Sequence, residues 1–268
     1  MLARMQVETG VVQEHFDIGS GYRQLTLSAP AVCPQVKPGQ FIHLRVPGLG
    51  ESLLRRPFSI YRATAGTISV LYKQVGKGTR ELAHLPVGGH ADFIGPLGNG
   101  FPLPPPEGRM PVLVAGGYGV APLSLLASNL DAVGIVFVGG RTAEDLLCLE
   151  DFWEMGWALE VTTEDGSAGL KGRVTDALDA WLRKGQPAIV YACGPDGMLE
   201  AIDQRLGQHG LPGWLSLDKH MGCGVGACLA CVQRVHTEDG GTRWKRCCCD
   251  GPVFAAGEID WAFGKDAS

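Results

Sequence analysis

Two rhythms of apolar and polar positions follow one another along the chain. From residue 1 to about 101, short stretches alternate between apolar and polar and are broken by Gly, Pro or Asn: Tyr22 to Leu27, Phe41 to Val46, Thr67 to Lys73 and His90 to Ile94. Strand alternation puts Ile42, Leu44 and Val46 on one face, and likewise Ile68, Val70 and Tyr72. No long helical pattern intervenes, so this half predicts a small antiparallel β-barrel. Residues 102 to 110, Pro-Leu-Pro-Pro-Pro-Glu-Gly-Arg-Met, form a stiff connection. Beyond it the rhythm changes. Pro111 to Ala115 is continuously apolar, as a strand buried on both faces requires, and it runs through a glycine turn into an apolar helix ending near Leu130. Gly134 to Val138, Trp157 to Thr162 and Ala188 to Ala192 read as further strands. Ala143 to Trp153, Val174 to Leu182 and Pro195 to Leu206 read as helices. That alternation predicts a doubly wound parallel sheet of the nucleotide-binding kind. The expected division is a barrel over 1–103, an α/β domain over 110–218 and a small C-terminal module over 219–268, whose last residues, 255–268, form a terminal cap or packing helix.

Composition sharpens this picture only in places. The 268 residues, 45% hydrophobic and 19% charged, suffice for two real cores. A net charge of -5 without a basic run argues against nucleic acid as a partner. No run approaches the ~20 apolar residues of a membrane span, and MLARMQVETG has no apolar signal core, so neither membrane insertion nor export is expected. The nine cysteines are clustered, which with no export signal points to a reducing cytoplasm and metal ligation instead of disulfides.

Their spacing carries the strongest chemistry. Cys223-Gly-Val-Gly-Ala-Cys228-Leu-Ala-Cys231, with Cys247-Cys248-Cys249 further on, is C-x4-C-x2-C plus a distant cysteine, the plant-type ligand pattern of a [2Fe–2S] cluster. Gly222, Gly224, Gly226 and Ala227 let the backbone wrap tightly and aim N–H groups at sulfur. Structural zinc sites pair their ligands in two knuckles, whereas here three lie in one loop. If the triple cysteine is extended, Cys247 and Cys249 point to one side and Cys248 to the other, and periodicity does not choose between them.

Four other stretches can carry more than packing. In Leu54-Arg55-Arg56-Pro57-Phe58-Ser59-Ile60-Tyr61 an arginine can fork onto phosphate and Ser59 can donate to a ring nitrogen; the plain alternative is a solvated arginine pair. In Leu71-Tyr72-Lys73-Gln74-Val75-Gly76-Lys77-Gly78-Thr79 a strand ends in a turn able to cradle a pyrophosphate or simply to close a hairpin. Gly117-x-Gly119-x-x-Pro122 opens a helix after a strand but is not the G-x-G-x-x-G fingerprint. Cys193-Gly194-Pro195 ends another strand at the sheet edge where open α/β folds bind ligands, so Cys193 either packs as a small residue or lines a nicotinamide pocket. Arg141 can meet a 2′-phosphate, while Glu144 and Asp145 come slightly late for a ribose hydroxyl.

Together, Arg-Pro-Phe-Ser, Gly-Lys-Gly-Thr, Gly-Gly-Tyr-Gly-Val-Ala-Pro, Cys-Gly-Pro-Asp-Gly-Met and the C-terminal cysteine motif closed by Cys-Asp-Gly-Pro-Val-Phe resemble the ferredoxin-reductase superfamily. More narrowly, they resemble electron-transfer subunits of class 1B dihydroorotate dehydrogenases, from about residue 5 to Phe254. The resemblance implies FAD on Arg56, Pro57, Phe58, Ser59, Leu71, Tyr72, Lys73, Gly78 and Thr79. Beside them the glycine turn and the end of the later strand place NAD on Gly117, Gly119, Pro122, Cys193 and Gly194, with Ser59 and Cys193 nearest the chemistry. The family's last cluster ligand stands two residues before Asp-Gly-Pro, which adds Cys248 to Cys223, Cys228 and Cys231; cysteines at 247 and 249 depart from the family pattern. A nicotinamide moves two electrons and a cluster one, so a flavin must stand between them. The expected function is an NAD-linked oxidoreductase subunit of pyrimidine biosynthesis, fed by FMN on a separate catalytic subunit in a heterotetramer that docks along 219–254. A ferredoxin–NADP reductase or hydrogenase diaphorase subunit, and more distantly a non-catalytic zinc scaffold, are the alternatives.

Overall fold

A computed structural model describes residues 5–48 and 54–262. Six strands, β1 (Gln6–Gly19), β2 (Tyr22–Ser28), β3 (Phe41–Arg45), β4 (Arg56–Thr64), β5 (Thr67–Lys73) and β6 (His90–Leu97), close into an antiparallel barrel in the order β1-β2-β5-β4-β3-β6. Its core holds Ile42, Leu44 and Val46 from one side and Ile68, Val70 and Tyr72 from another, as the alternation requires. Between β5 and β6 the glycine turn is the start of a short helix, α1 (Lys77–Leu82), and not a hairpin. Thr79 fixes that start, its Oγ1 accepting from the N–H groups of Val75 and Gly76 at 3.0 and 3.1 Å.

The second sheet is built by β7 (Met110–Gly116), α2 (Val120–Ala127), β8 (Ile135–Gly140), α3 (Leu149–Glu154), β9 (Ala158–Thr163), β10 (Leu170–Lys171), α4 (Val174–Leu182), β11 (Ala188–Cys193), α5 (Asp196–His209) and β12 (Gly213–Ser216). After it come a ribbon, β13 (Val232–His236) with β14 (Thr242–Arg246), and β15 (Val253–Ala255). The sheet order is β10-β9-β8-β7-β11-β12-β15, parallel except at β15, which runs antiparallel to β12. Because β7 is covered on both faces, its alternate residues feed two cores: Val112 and Val114 pack with α4 and α5, Leu113 and Ala115 with α2 and α3.

One expectation changes. The helix expected over Ala143 to Trp153 is broken into a single 3₁₀ turn at Ala143–Asp145 and α3, because Cys148 takes a left-handed conformation at φ +57°. The break brings Asp145 and Asp151 to the barrel. Lys73 Nζ meets Asp145 at 2.9 Å and the Tyr22 hydroxyl donates to it at 2.8 Å, while Arg62 reaches Asp151 at 2.7 Å and Tyr61 donates to the same carboxylate. Of the two forms expected for the C-terminal end, residues 255–262 take the cap and not the packing helix: Asp260 pairs with Arg234 at 2.6 Å and the Trp261 indole N–H donates to Asp203 at 2.7 Å. Residues 263–268 of the expected cap lie outside the described residues.

Candidate cofactor sites

The cysteine loop has no regular structure of its own; sulfur organises it. The N–H groups of Val225, Ala227 and Cys228 donate to Cys223 Sγ at 3.4, 3.3 and 3.4 Å, that of Cys223 to Cys228 Sγ at 3.3 Å, and that of Cys248 to Cys231 Sγ at 3.4 Å. Such a wrap demands left-handed backbone at Gly224 and Gly226, φ +71° and +82°. Burial raises the Cys223 thiol, but the N–H groups of Val225, Cys228 and Ala227 and the Cys228 side chain outweigh it and bring it down to about 6. Donors converging on thiolates are what an anionic iron–sulfur cluster requires, so Cys223, Cys228 and Cys231 fit that group.

The triple cysteine is not extended. The N–H groups of Cys249, Asp250 and Gly251 all donate to the Arg246 carbonyl, making a tight turn where β14 ends, and strand alternation therefore does not govern it. Cys247 is wholly buried, its N–H on the Cys231 carbonyl at 3.0 Å, and burial pushes its thiol up to about 12. Cys248 joins Cys231 through its amide, and its sulfur lies 3.7 Å from that of Cys249.

On the barrel, β3 pairs with β4 so that Phe41 faces Ser59 and His43 faces Pro57. Phe58 points the other way, into the barrel, where it lies 5.7 Å from the Tyr72 ring. Any contact that Phe58 or Tyr72 makes with a cofactor on the outer face therefore passes through main chain. Arg56 donates to the carbonyls of Leu54 and Arg55, and its guanidinium packs on Gly78, where an added Cβ would lie 3.1 Å from Nε. A cation thus sits over the first turn of α1, donor chemistry suited to a pyrophosphate. Leu71 faces the sheet domain and Lys73 is committed to Asp145.

Gly117 and Gly119 follow β7 beside Cys193 and Gly194 at the carboxyl end of β11, with Pro122 in the first turn of α2. A Cβ on Gly119 would fall 2.3 Å from the Cys193 carbonyl oxygen, and one on Gly194 would strike Met198. Cys193 is buried, which pushes its thiol up to about 12 against the opposing Ser216 hydroxyl. Beside it burial raises the Asp218 carboxyl, to which Tyr118 donates at 3.0 Å. Tyr118, Ser216 and Asp218 give no separate signal in the sequence: Tyr118 stands in the turn after β7, and the return of β12 to the side of β11 brings Ser216 and Asp218 to this edge.

A barrel beside a parallel sheet, with a sulfur-organised loop appended, defines an NAD-linked oxidoreductase of flavin-reductase type carrying an iron–sulfur site. Comparison with known proteins agrees at each part. Residues 113–204 match the oxidoreductase NAD-binding domain, and residues 218–260 match the iron–sulfur cluster binding domain of dihydroorotate dehydrogenase B. The dihydroorotate dehydrogenase B (NAD(+)) electron transfer subunit of Bacillus caldolyticus is 44% identical over 242 residues, 88% of this chain and 91% of that one. Its counterpart in Geobacillus sp. (strain WCH70) is 41% identical over 261 residues, 95% and 99% of the two chains. A solved NADH-dependent reduced ferredoxin-NADP oxidoreductase, described for flavin-based electron bifurcation, superposes with a TM-score of 0.81 at 32% identity, covering 94% of this chain and 90% of that one. The chain belongs to the family of dihydroorotate dehydrogenase B (NAD(+)) electron transfer subunits. Among the described residues no helix is long and apolar enough to cross a membrane.

Proposed function

We propose that this chain relays electrons from FMN on a separate dihydroorotate-oxidising subunit, through a [2Fe–2S] cluster and FAD, to NAD+, within a cytoplasmic heterotetramer serving pyrimidine biosynthesis. Bound FAD exchanges electrons singly with a cluster and in pairs with a nicotinamide, which is the chemistry the relay needs between the two. The division of labour follows 1–103 for flavin, 110–218 for nucleotide and 219–268 for the cluster. Cys223, Cys228, Cys231 and Cys248 hold the iron. Arg56 neutralises the flavin pyrophosphate over Gly78 and Thr79, with Pro57, Phe58, Leu71, Tyr72 and Lys73 shaping the flavin strand pair. Ser59 on the flavin strand and Cys193 at the end of β11 stand nearest the chemistry, and Gly117, Gly119, Pro122 and Gly194 let the nucleotide approach the backbone. The observation that carries the reading is the set of five N–H···S contacts, four within a loop without other regular structure and one reaching Cys231 from the turn at Cys248.

Anaerobic purification with and without the dihydroorotate-oxidising subunit, followed by a visible spectrum, tests it. Flavin and iron–sulfur absorbance bleached by dihydroorotate only with that subunit present, and restored by NAD+, is the expected result. Absorbance that dihydroorotate never bleaches overturns the partner assignment and leaves a reductase fed by ferredoxin, the reading that the 32% identical ferredoxin-NADP oxidoreductase favours.

A further inference from the structure

Strand alternation sends Ile42 and Leu44 of β3 into the barrel and turns Phe41 and His43 outward, where a histidine would ordinarily meet water. His43 is instead completely buried. The cluster loop covers it: Nδ1 lies 3.2 Å from the Cys223 carbonyl oxygen, and a Cβ on Gly224 would come within 2.5 Å of the same nitrogen. On the barrel side, His43 stands directly opposite Pro57 on β4, two residues from Ser59 on the same outward face. One side chain therefore links the strand pair assigned to flavin with the loop that holds the first cluster cysteine.

Its two nitrogens are not equivalent. A carbonyl oxygen accepts only, so Nδ1 carries the proton and donates it to Cys223. Nε2 is then an acceptor, and it is buried with no partner among the described residues. An unpaired buried acceptor is costly, and the face it shares with Pro57 and Ser59 is the flavin face. We propose that His43 is a positioning residue for electron exchange between cluster and flavin: Nδ1–H anchors the Cys223 end of the cluster loop, and Nε2 accepts a hydrogen bond from a donor of the bound flavin. The imidazole keeps its proton and takes no electron; it fixes the separation and the surroundings of the two redox groups. The proposal rests on the flavin and cluster assignments above.

Two polar variants of the full chain separate the two nitrogens. In His43→Asn the amide nitrogen falls near the Nδ1 position and the Nε2 position is empty; in His43→Gln the amide falls near Nε2 and the Nδ1 anchor is lost. Both are purified anaerobically and examined for iron and FAD content, for the cluster signal in electron paramagnetic resonance, for flavin potential and for the single-turnover rate of cluster-to-flavin transfer. His43→Asn is expected to keep the wild-type cluster signal while shifting the flavin potential. His43→Gln is expected to alter the cluster signal more than the flavin. Each is expected to slow transfer roughly 3- to 10-fold, the loss of one hydrogen bond's worth of positioning. Two variants indistinguishable from wild type, or two that lose both signals in parallel as a mere packing defect would, overturn the proposal. A wild-type chain without flavin or cluster would instead overturn the relay, and this proposal with it.

Discussion

The loops at 116–122 and 222–228 are both rich in glycine and both contain left-handed glycine, Gly117 at φ +55° in the first and Gly224 and Gly226 in the second, but what surrounds that glycine differs. In the first, Gly119 has ordinary helical geometry, φ -60°, and is needed because the Cys193 carbonyl of the neighbouring strand lies where a Cβ would go. In the second, Gly224 and Gly226 are needed for their left-handed backbone, which turns successive N–H groups onto sulfur. One loop is held by the sheet that flanks it. The other is held by its own sulfur atoms. A glycine-rich stretch is therefore informative only when what replaces the missing side chain is known.

The largest effect should come from removing what holds the second loop. Cys228→Ser is expected to abolish nearly all iron and cluster absorbance while leaving FAD bound, read as the iron-to-flavin ratio of the purified chain. The same assay on the turn should lose the cluster with Cys248→Ser and keep it with Cys247→Ser and Cys249→Ser. Retention in Cys248→Ser with loss in Cys249→Ser would move the fourth ligand by one residue. Gly224→Ala comes next. It combines a left-handed non-glycine residue, costing about 1–2 kcal/mol, with a collision on His43, and the iron-to-flavin ratio should fall by roughly half or more.

Gly119→Ala sharpens the contrast from the other side. It carries no conformational penalty, yet its Cβ meets main chain that cannot rotate away, so the sheet domain should lose about 1–3 kcal/mol and NADH binding should weaken. Cluster content should remain at the wild-type value. A fall in iron equal to that of Gly224→Ala would mean that the two loops are one cooperative unit.

Legibility divides along similar lines. Strands such as Thr67–Lys73 and helices such as Val174–Leu182 appear in the structure with the bounds that periodicity predicts, because each buries one regular face. β1 was not legible: Glu8, Thr9, Gln13, Glu14, His15 and Asp17 give it no clean alternation, and it is a strand because it bridges β2 and β6 with register shifts along its length. Nor was β15, whose Val253 and Phe254 read as the tail of a cysteine motif until β12 offers them an edge. At the sites, cysteine spacing is local and so is visible in sequence. His43, Tyr118 and Asp218 act through neighbours 100 to 180 positions away, and no local pattern announces them.

The smallest effect concerns the contact that joins the barrel to the sheet domain. Burial raises the Asp145 carboxyl, but the hydrogen bonds from Lys73 and Tyr22 and the charge of Lys73 and Arg141 prevail and hold it below the ordinary carboxylate range. A carboxyl depressed on folding contributes stability that is fully present above its unfolded value, about 3.9, and that disappears as pH falls through the lower folded value. Wild-type protein should therefore lose this contribution only below about pH 4. Asp145→Asn keeps the shape and removes the charge, so at neutral pH it should cost roughly 1–2 kcal/mol, about 2–6 °C in Tm, with the difference from wild type shrinking as the pH falls through the lowered folded value. The break in the helix expected at 143–153 places Asp145 there, and a difference between the two proteins that persists unchanged until acid has protonated the carboxylates would mean that the contact works through packing and not through charge.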